Sequence, residues 1–368
     1  MNTLQIQRDV LLKPLQSVTG IVERRQTLPI LSNVLIEARH GSLSLTATDL
    51  EIQATARQEG TAQDADFSTT VSAKKLLDIL RALPEQTVVS LEQKDSKLLL
   101  KAGRSRFSLQ TLPATDFPRL PEAQATTAEI SMPQSALRKL LSLSQYAMAQ
   151  QDIRYYLNGM LFVVDGKTLT LVATDGHRLA LTSRELLDSY MRNELILPRK
   201  AVLELSRLLG DTDNPVLVTI MPNQVRFDLD GISLVTKVID GKFPDYNRVV
   251  PTNYGKHVRL ERTLLQNALQ RAAILSNEKF RGVRWVVSPD SLRILCTNTE
   301  QEEAEEEIEI AYAADVIDIG FNITYLLEVL SNVDTSVVQC SFGDANTSML
   351  LTLPDRDDFK YVVMPMRI

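Results

Sequence analysis

The chain has 368 residues, of which 44% are hydrophobic and 23% charged, with a formal net charge of -6. This is ordinary for a soluble globular protein and leaves room for two or three domains. No apolar run approaches the roughly 18 residues of a membrane-spanning helix, and the mild acidity argues against a general nucleic-acid binder, which usually carries a basic excess.

The elements follow one another in a repeating order. Leu11, Leu12, Leu15 and Val18 form a helical stripe. A strand is expected over Asn33 to Ala38. Alternation at Leu43, Leu45 and Ala47, then at Ile52, Ala54 and Ala56, predicts paired half-buried strands. Ser72 is placed to N-cap a second helix, and strands follow over Lys97 to Ala102 and Arg106 to Thr111. A Pro-rich stretch from Leu112 to Pro121 ends this first unit.

The order then returns. A second stripe holds Leu137, Leu140, Leu141 and Ser144, and strands are expected over Asn158 to Val164 and at Leu169, Leu171, Ala173, Leu179 and Leu181. Pro198 opens a further helix at its first turn. The third copy offers Leu264, Leu265, Ala268, Leu269 and Ala272, then a strand over Gly282 to Val287. Alternation follows at Leu292, Ile294 and Cys296 and at Ile308, Ile310 and Tyr312, and Asn322 is placed to cap a helix. Ala47-Thr48-Asp49 reappears as Ala173-Thr174-Asp175, and Phe117-Pro118 as Phe243-Pro244, at an offset close to 126 residues. A period that long gives tandem domains rather than a solenoid. The expected boundaries are 1–126, 127–253 and 254–368, and the fold class is α+β, with two helices and a sheet in each copy.

Charge is segregated. Glu300 to Glu309 holds seven carboxylates, and without them the remainder would carry +1. Basic residues recur on equivalent helices, among them Lys74, Lys75, Arg138, Lys139, Arg199 and Lys200, which suggests one basic surface shared by the copies. Cys296 and Cys340 lie in expected strands and read as buried cytosolic thiols. The N-terminus lacks the pattern of a secretory signal. Thr174-Asp175-Gly176-His177-Arg178 is the most enzyme-like string, and Asp175 with His177 could form the acid–base pair of a hydrolase. The first copy has the same turn without His or Arg, so a turn-and-partner role is favoured over catalysis. No nucleophile elbow, phosphate loop or metal-ligand spacing is present. Tyr155 and Tyr156 are expected in a strand, on opposite faces, and the apolar, Met-rich C-terminus suits a strand or a binding groove.

Over its whole length the chain resembles the processivity clamps of bacterial DNA polymerase III, the β subunits. The resemblance rests on Leu12-Lys13-Pro14-Leu15, Arg104-Ser105-Arg106-Phe107-Ser108-Leu109, Arg154-Tyr155-Tyr156-Leu157-Asn158-Gly159-Met160, Thr174-Asp175-Gly176-His177-Arg178-Leu179 and Val363-Met364-Pro365-Met366-Arg367. It implies a non-catalytic, cytoplasmic DNA sliding clamp without a cofactor. Two chains would close head to tail into a six-domain ring around double-stranded DNA, helices inside and sheet outside. DNA contacts map to Arg25, Gln151, Tyr155 and Tyr156. The dimer interface maps to Phe107, Leu109, Ile274 and Leu275, with Arg104 and Arg106 facing Glu303, Glu305 and Glu306. A groove for peptides of polymerases, the clamp loader and repair proteins maps to Leu157, Thr174, Gly176, His177, Arg178, Leu179, Pro244, Arg248, Val249, Ser348, Val362, Met364, Pro365, Met366 and Arg367. Asn247 stands where relatives often carry Arg, which puts one polar rim contact in doubt.

Overall fold

The computed structural model describes residues 3–23, 28–60, 66–121 and 125–368. The first repeat runs β1 (Thr3–Gln7), α1 (Arg8–Val18), β2 (Asn33–Arg39), β3 (Ser42–Thr48), β4 (Ile52–Gln58), β5 (Phe67–Ser72), α2 (Ala73–Ala82), β6 (Val88–Lys94), β7 (Lys97–Ala102) and β8 (Ser105–Leu112). The second has β9 (Ala128–Pro133), α3 (Gln134–Ser144), β10 (Gly159–Thr174), β11 (Arg178–Pro198), α4 (Arg199–Leu208), β12 (Pro215–Ile220), β13 (Gln224–Leu229) and β14 (Ile232–Lys237). The third runs β15 (Lys256–Glu261), α5 (Arg262–Ala272), β16 (Gly282–Ser288), β17 (Ser291–Thr297), β18 (Glu303–Glu309), β19 (Ile317–Asn322), α6 (Ile323–Asn332), β20 (Val337–Phe342), β21 (Met349–Leu353) and β22 (Arg356–Val363). In the second repeat, the four middle strands of the other copies run on as two long ones, β10 and β11.

By contact density the chain divides into two compact units. One is Met1–Leu137 with Leu203–Val238, and the other is Arg138–Val202 with Ile239–Ile368. The division follows sheets rather than repeats, because strands of neighbouring repeats pair edge to edge. In the first unit, β4 pairs antiparallel with β14, with Ala54 opposite Leu234. In the second, β11 pairs antiparallel with β22, with Leu179 opposite Val362 and Ala180 opposite Tyr361.

The helical stripes face cores as their spacing predicts. Leu11, Leu12, Leu15 and Val18 of α1 are buried and pack on β3, β4 and α2. Leu137, Leu140, Leu141 and Ser144 are buried, and Ser144 donates to the Leu140 carbonyl at 3.0 Å. In α5 the stripe is Leu265, Ala268, Leu269 and Ala272; Leu264 lies off it, 47% exposed. Ser72 accepts from the Lys75 amide, and Asn322 from the Thr324 amide at 2.9 Å. Pro198 ends β11 and stands just before α4 rather than in its first turn. Trp285 is buried edge-on against Phe321, ring centroids 5.6 Å apart, inside the sheet of β16 to β19. β18 ends at Glu309, so Ile310 and Tyr312 are buried beyond the strand rather than within it. Cys296 and Cys340 are free and buried, and burial pushes their thiols up to about 11 and about 12.

Candidate binding groove and terminal edges

The enzyme-like string is a tight turn between β10 and β11. Thr174 Oγ1 donates to the Arg178 carbonyl at 2.6 Å and accepts the Gly176 amide at 3.1 Å. Asp175 Oδ1 accepts the amides of His177 (2.9 Å) and Arg178 (3.0 Å). The first repeat builds the same turn with different residues. There Thr48 Oγ1 bonds the Ile52 carbonyl at 2.9 Å, and Asp49 Oδ1 takes the Glu51 and Ile52 amides at 2.9 and 2.8 Å. The left-handed position is Leu50 in one copy and Gly176 in the other, with φ of 79° and 88°. The carboxylate is therefore a turn-former common to both copies, and it meets His177 through that residue's amide. This geometry supplies no acid–base pair.

Arg178 follows that turn and is engaged on every side, its side chain only 7% exposed. It pairs with Glu328 and with Asp175 (3.2 Å), donates to the Tyr146 carbonyl at 2.5 Å, and lies over the Tyr325 ring at 4.2 Å. Burial alone would lower its pKa, yet Tyr361, Glu328 and Asp175 raise it, so the cation is fixed in place. Tyr361 bonds the Tyr325 carbonyl at 3.0 Å. This cluster ties β11 to α6 and β22. No sequence pattern marks it, since its members are scattered along the chain from Tyr146 to Tyr361.

Beside the turn lies a buried apolar cluster, the floor of the candidate groove. Leu157, Leu179 and Val362 are buried together with Ala149, Leu161 and Phe243, and Tyr156, Tyr246, Val250 and Leu350 pack half-buried against them. Pro244, Arg248, Val249 and Met364 are exposed, and Ser348 is half-buried beside β21. The Met364 amide donates to the His177 carbonyl at 2.8 Å, which holds the start of the C-terminal tail at the turn. The tail then leaves. Met366 bonds Gly320, and Met366 and Arg367 line a separate hollow of about 600 Å³ with Phe280, Leu295, Glu303 and Ile368. The structure thus gathers Leu157, Leu179 and Val362 into one floor and sends Met366 and Arg367 elsewhere.

The loop carrying the expected DNA contacts is rigidly braced. Arg154 forks onto Asp152 at 3.0 and 2.8 Å and also donates to the Asp175 carbonyl, while Asp152 and Asn158 exchange two bonds. Arg154 holds the Asp152 carboxyl down at about 2. The brace presents Gln151, Ile153 and Tyr155 to solvent; Ile153 is 97% exposed, a feature that sequence reasoning missed. Tyr155 and Tyr156 lie in a 3-10 turn (Tyr155–Leu157), not a strand, so only Tyr155 projects outward, while Tyr156 packs on the floor. Arg25 lies outside the described residues.

Besides the sheet-end strands β1, β9, β10, β15 and β19, two strands have open edges that bear on the seams between repeats: β18, and β8 over most of its length. On β8, Phe107 and Leu109 face the core opposite Leu100 and Leu98, while Arg106 points outward opposite Lys101 and Arg104 sits exposed in the hairpin turn. On β18, Glu303, Glu305 and Glu307 share the outer face, and Ala304, Glu306 and Ile308 the inner one. Glu306 is engaged within its own chain, bound through both oxygens by Arg271 at 2.8 and 2.6 Å. Glu305 is also reached by Arg293 of its own chain, at 3.4 Å, and Glu307 shares its outer face. Ile274 is 78% exposed beside half-buried Leu275. No group of His, Cys, Asp and Glu suited to a metal occurs among the described residues, and no described helix is long and apolar enough to cross a membrane.

Three tandem α+β repeats joined through their sheet edges, with an apolar floor at one seam and oppositely charged strands left open, define a clamp-type architecture. The family models agree: the N-terminal, central and C-terminal domains of the DNA polymerase III beta subunit match residues 2–121, 131–245 and 247–367. The curated beta sliding clamp of Pseudomonas aeruginosa is 48% identical over 366 residues, 99% of each chain. That of Escherichia coli K12 is 45% identical over 363 residues, again 99% of each. A crystal structure of the Pseudomonas aeruginosa sliding clamp bound to griselimycin superposes with a TM-score of 0.94 at 48% identity, covering 100% of this chain and 99% of the other. The chain belongs to the beta sliding clamp family, the beta subunits of DNA polymerase III.

Proposed function

We propose that two copies of this chain close head to tail into a ring of six domains around duplex DNA, each chain supplying domains at 1–126, 127–253 and 254–368. One observation carries the reading: the fourth strand of a repeat pairs with the last strand of the next, twice within the chain. β4 takes β14, and β11 takes β22. Applied a third time, the rule gives β18 the only remaining last strand, the partner's β8. The register follows. Ala54, Ala180 and Ala304 are equivalent, each paired with the residue before its Thr (Ala47, Ala173 and Cys296). Ala54 faces Leu234, whose place in its hairpin is that of Phe107. So Ala304 meets the partner's Phe107, Glu305 the partner's Arg106 and Glu303 the partner's Ser108. Apolar side chains fall on the inner face and opposite charges on the outer. A heterologous contact that closes after two copies leaves neither β8 nor β18 as a free edge.

In this reading Arg25, Gln151 and Tyr155 touch the DNA backbone without reading sequence, as a sliding contact requires. The ring is a non-catalytic processivity factor in the cytoplasm, and retention on DNA is topological. The floor of Leu157, Leu179 and Val362, rimmed by Met364 and Val249, takes short, partly apolar segments of polymerases, the clamp loader and repair proteins. The Pseudomonas aeruginosa relative was solved bound to griselimycin, and in this reading that compound serves as the groove's probe. The test is retention. Protein loaded onto closed circular DNA should stay and should be lost once the circle is cut; equal loss from both forms overturns the ring.

A further inference from the structure

The C-terminal tail runs from the groove to the closing edge. Met364 is held by the His177 carbonyl at 2.8 Å, and Met366 by the Gly320 carbonyl at 2.9 Å. Ile368 then lies on Gly282 and Gly320. Strand register puts those glycines on the outer face of β16 to β19 with Arg284, Leu295, Thr297, Glu303 and Glu305. The seat needs glycine: a Cβ on Gly320 would fall 2.5 Å from the Met366 carbonyl oxygen and 2.6 Å from Ile368 Cδ1. Seated there, the tail walls the hollow of about 600 Å³ whose other walls include Phe280, Leu295, Glu303 and Glu305. In the single chain this hollow leaves Phe280 59% and Ile368 69% exposed.

Resting on the ring reading, we infer that this hollow receives the outward side chains of a second copy's closing strand, the partner's Arg106 and Ser108. The C-terminal tail is then at once the rim of the peptide groove and a wall of the ring's seam. Register delivers the partner's Arg106 opposite Glu305 and the partner's Ser108 opposite Glu303. An arginine stem would lie along apolar Phe280, Leu295 and Ile368 while its guanidinium meets Glu303 and shares Glu305 with Arg293, the hollow's own Arg284 being neutralised by Asp318 and its Arg367 left as the competing cation. A groove ligand that packs on Met364 fixes the tail in its seat, so it also favours the closed seam. Linkage makes the effect reciprocal: whatever factor the groove ligand adds to dimer affinity, dimerisation adds to ligand affinity.

The experiment measures the dimer dissociation constant by sedimentation velocity, with and without saturating griselimycin, in the unaltered protein, in Gly320→Ala and in Ile368→Ala. The expected result is about fivefold tighter dimerisation with ligand in the unaltered protein, at the low end of typical coupling, and a ratio near one in both variants. Gly320→Ala unseats the tail; Ile368→Ala keeps the backbone seat but removes the wall, so a folding defect in the first leaves the second decisive. A ratio near one in the unaltered protein, or an unchanged ratio in Ile368→Ala, overturns the shared wall and leaves the ring intact. A chain that neither dimerises nor binds griselimycin overturns the ring reading itself.

Discussion

Reversing Arg106 should open the ring, and the structure sets the size of the effect. The proposed register places this cation opposite the partner's Glu305, with the partner's Glu303 and Glu307 diagonal on the same outer face. Directly opposite side chains on paired strands sit about 5 Å apart at Cβ, and diagonal ones about 7–8 Å. An exposed ion pair is worth about 0.5 kcal/mol, and a like-charge pair costs a similar amount. Arg106→Glu therefore shifts the direct pair by about 1 kcal/mol and the two diagonals together by about another 1. A head-to-tail dimer has two such seams, so the loss is about 4 kcal/mol, and the dissociation constant should rise about a thousandfold.

Sedimentation across a dilution series reads this directly. At 1 M salt the screening length falls to about 3 Å, and most of the deficit should disappear. Arg106→Glu combined with Glu305→Arg restores opposite charges across both seams and should recover the dimer. Glu306→Gln is the control: its carboxylate faces inward and is bound by Arg271 of its own chain, so dimerisation should change less than tenfold. A dimer unmoved by Arg106→Glu but broken by Glu306→Gln would show that the strands pair one residue out of the derived register.

Three further outcomes follow from the groove and its loop. Asp152 is held at about 2 against an ordinary 3.8, chiefly by hydrogen bonds from Arg154, so its folded-state pKa is depressed. The bracing is then complete above about pH 4 and is lost as pH falls toward 2; amide shifts of residues 151 to 158 should titrate in that window, and a flat response removes the brace. Gly176→Ala would bring a Cβ within 2.9 Å of the Arg154 guanidinium at a φ of 88°, costing about 1–2 kcal/mol in denaturant titration, and a concurrent Arg154→Ala should recover part of it. Met364→Ala removes a side chain from the groove rim that is 49% exposed. Griselimycin binding by calorimetry should weaken about tenfold, as expected for lost apolar contact, and unchanged affinity would place the ligand away from Met364.

Period and alternation carried much of the architecture. The stripes of α1, α3 and α5 came out of spacing because a helix must bury one face, and Leu264 misled because it neighbours that face without joining it. The Thr-Asp turn was legible as a shared local device, since its hydrogen bonds stay within five residues. Three features were not legible. Alternation separates Glu306 from Glu303 and Glu305, which the resemblance groups together, but it assigns a face and not a partner, and only the sheet puts Arg271 beside Glu306. Tyr155 and Tyr156 read as strand because aromatics favour strands, yet the amide bonds of Leu157 and Asn158 close a 3-10 turn there. The cage around Arg178 draws on Tyr146, Glu328, Tyr325 and Tyr361, which only the pairing of β11 with β22 brings together.

The three seams obey one pairing rule but differ in chemistry, and the difference matches what each must do. β4 with β14 joins Ala54 to Leu234 and Ala56 to Ile232, and β11 with β22 joins Leu179 to Val362 under the clamp of Arg178. Both are permanent within a chain, so apolar contact serves them well. The seam between chains must also survive being open, because a closed ring cannot be threaded by circular DNA. An open β18 with an apolar face would be a template for pairing with any exposed strand. Glutamates at 303, 305 and 307 make that edge repel copies of itself. They leave β8, which carries Arg106, as the fitting partner. In the proposed ring, charge sets which ends may meet, and the half-buried Phe107, Leu109 and Leu275 with the exposed Ile274 supply most of the affinity once they do. On that division of labour, salt should change the rate of closure more than the lifetime of the closed ring, whereas truncating Ile274 should shorten that lifetime at any salt.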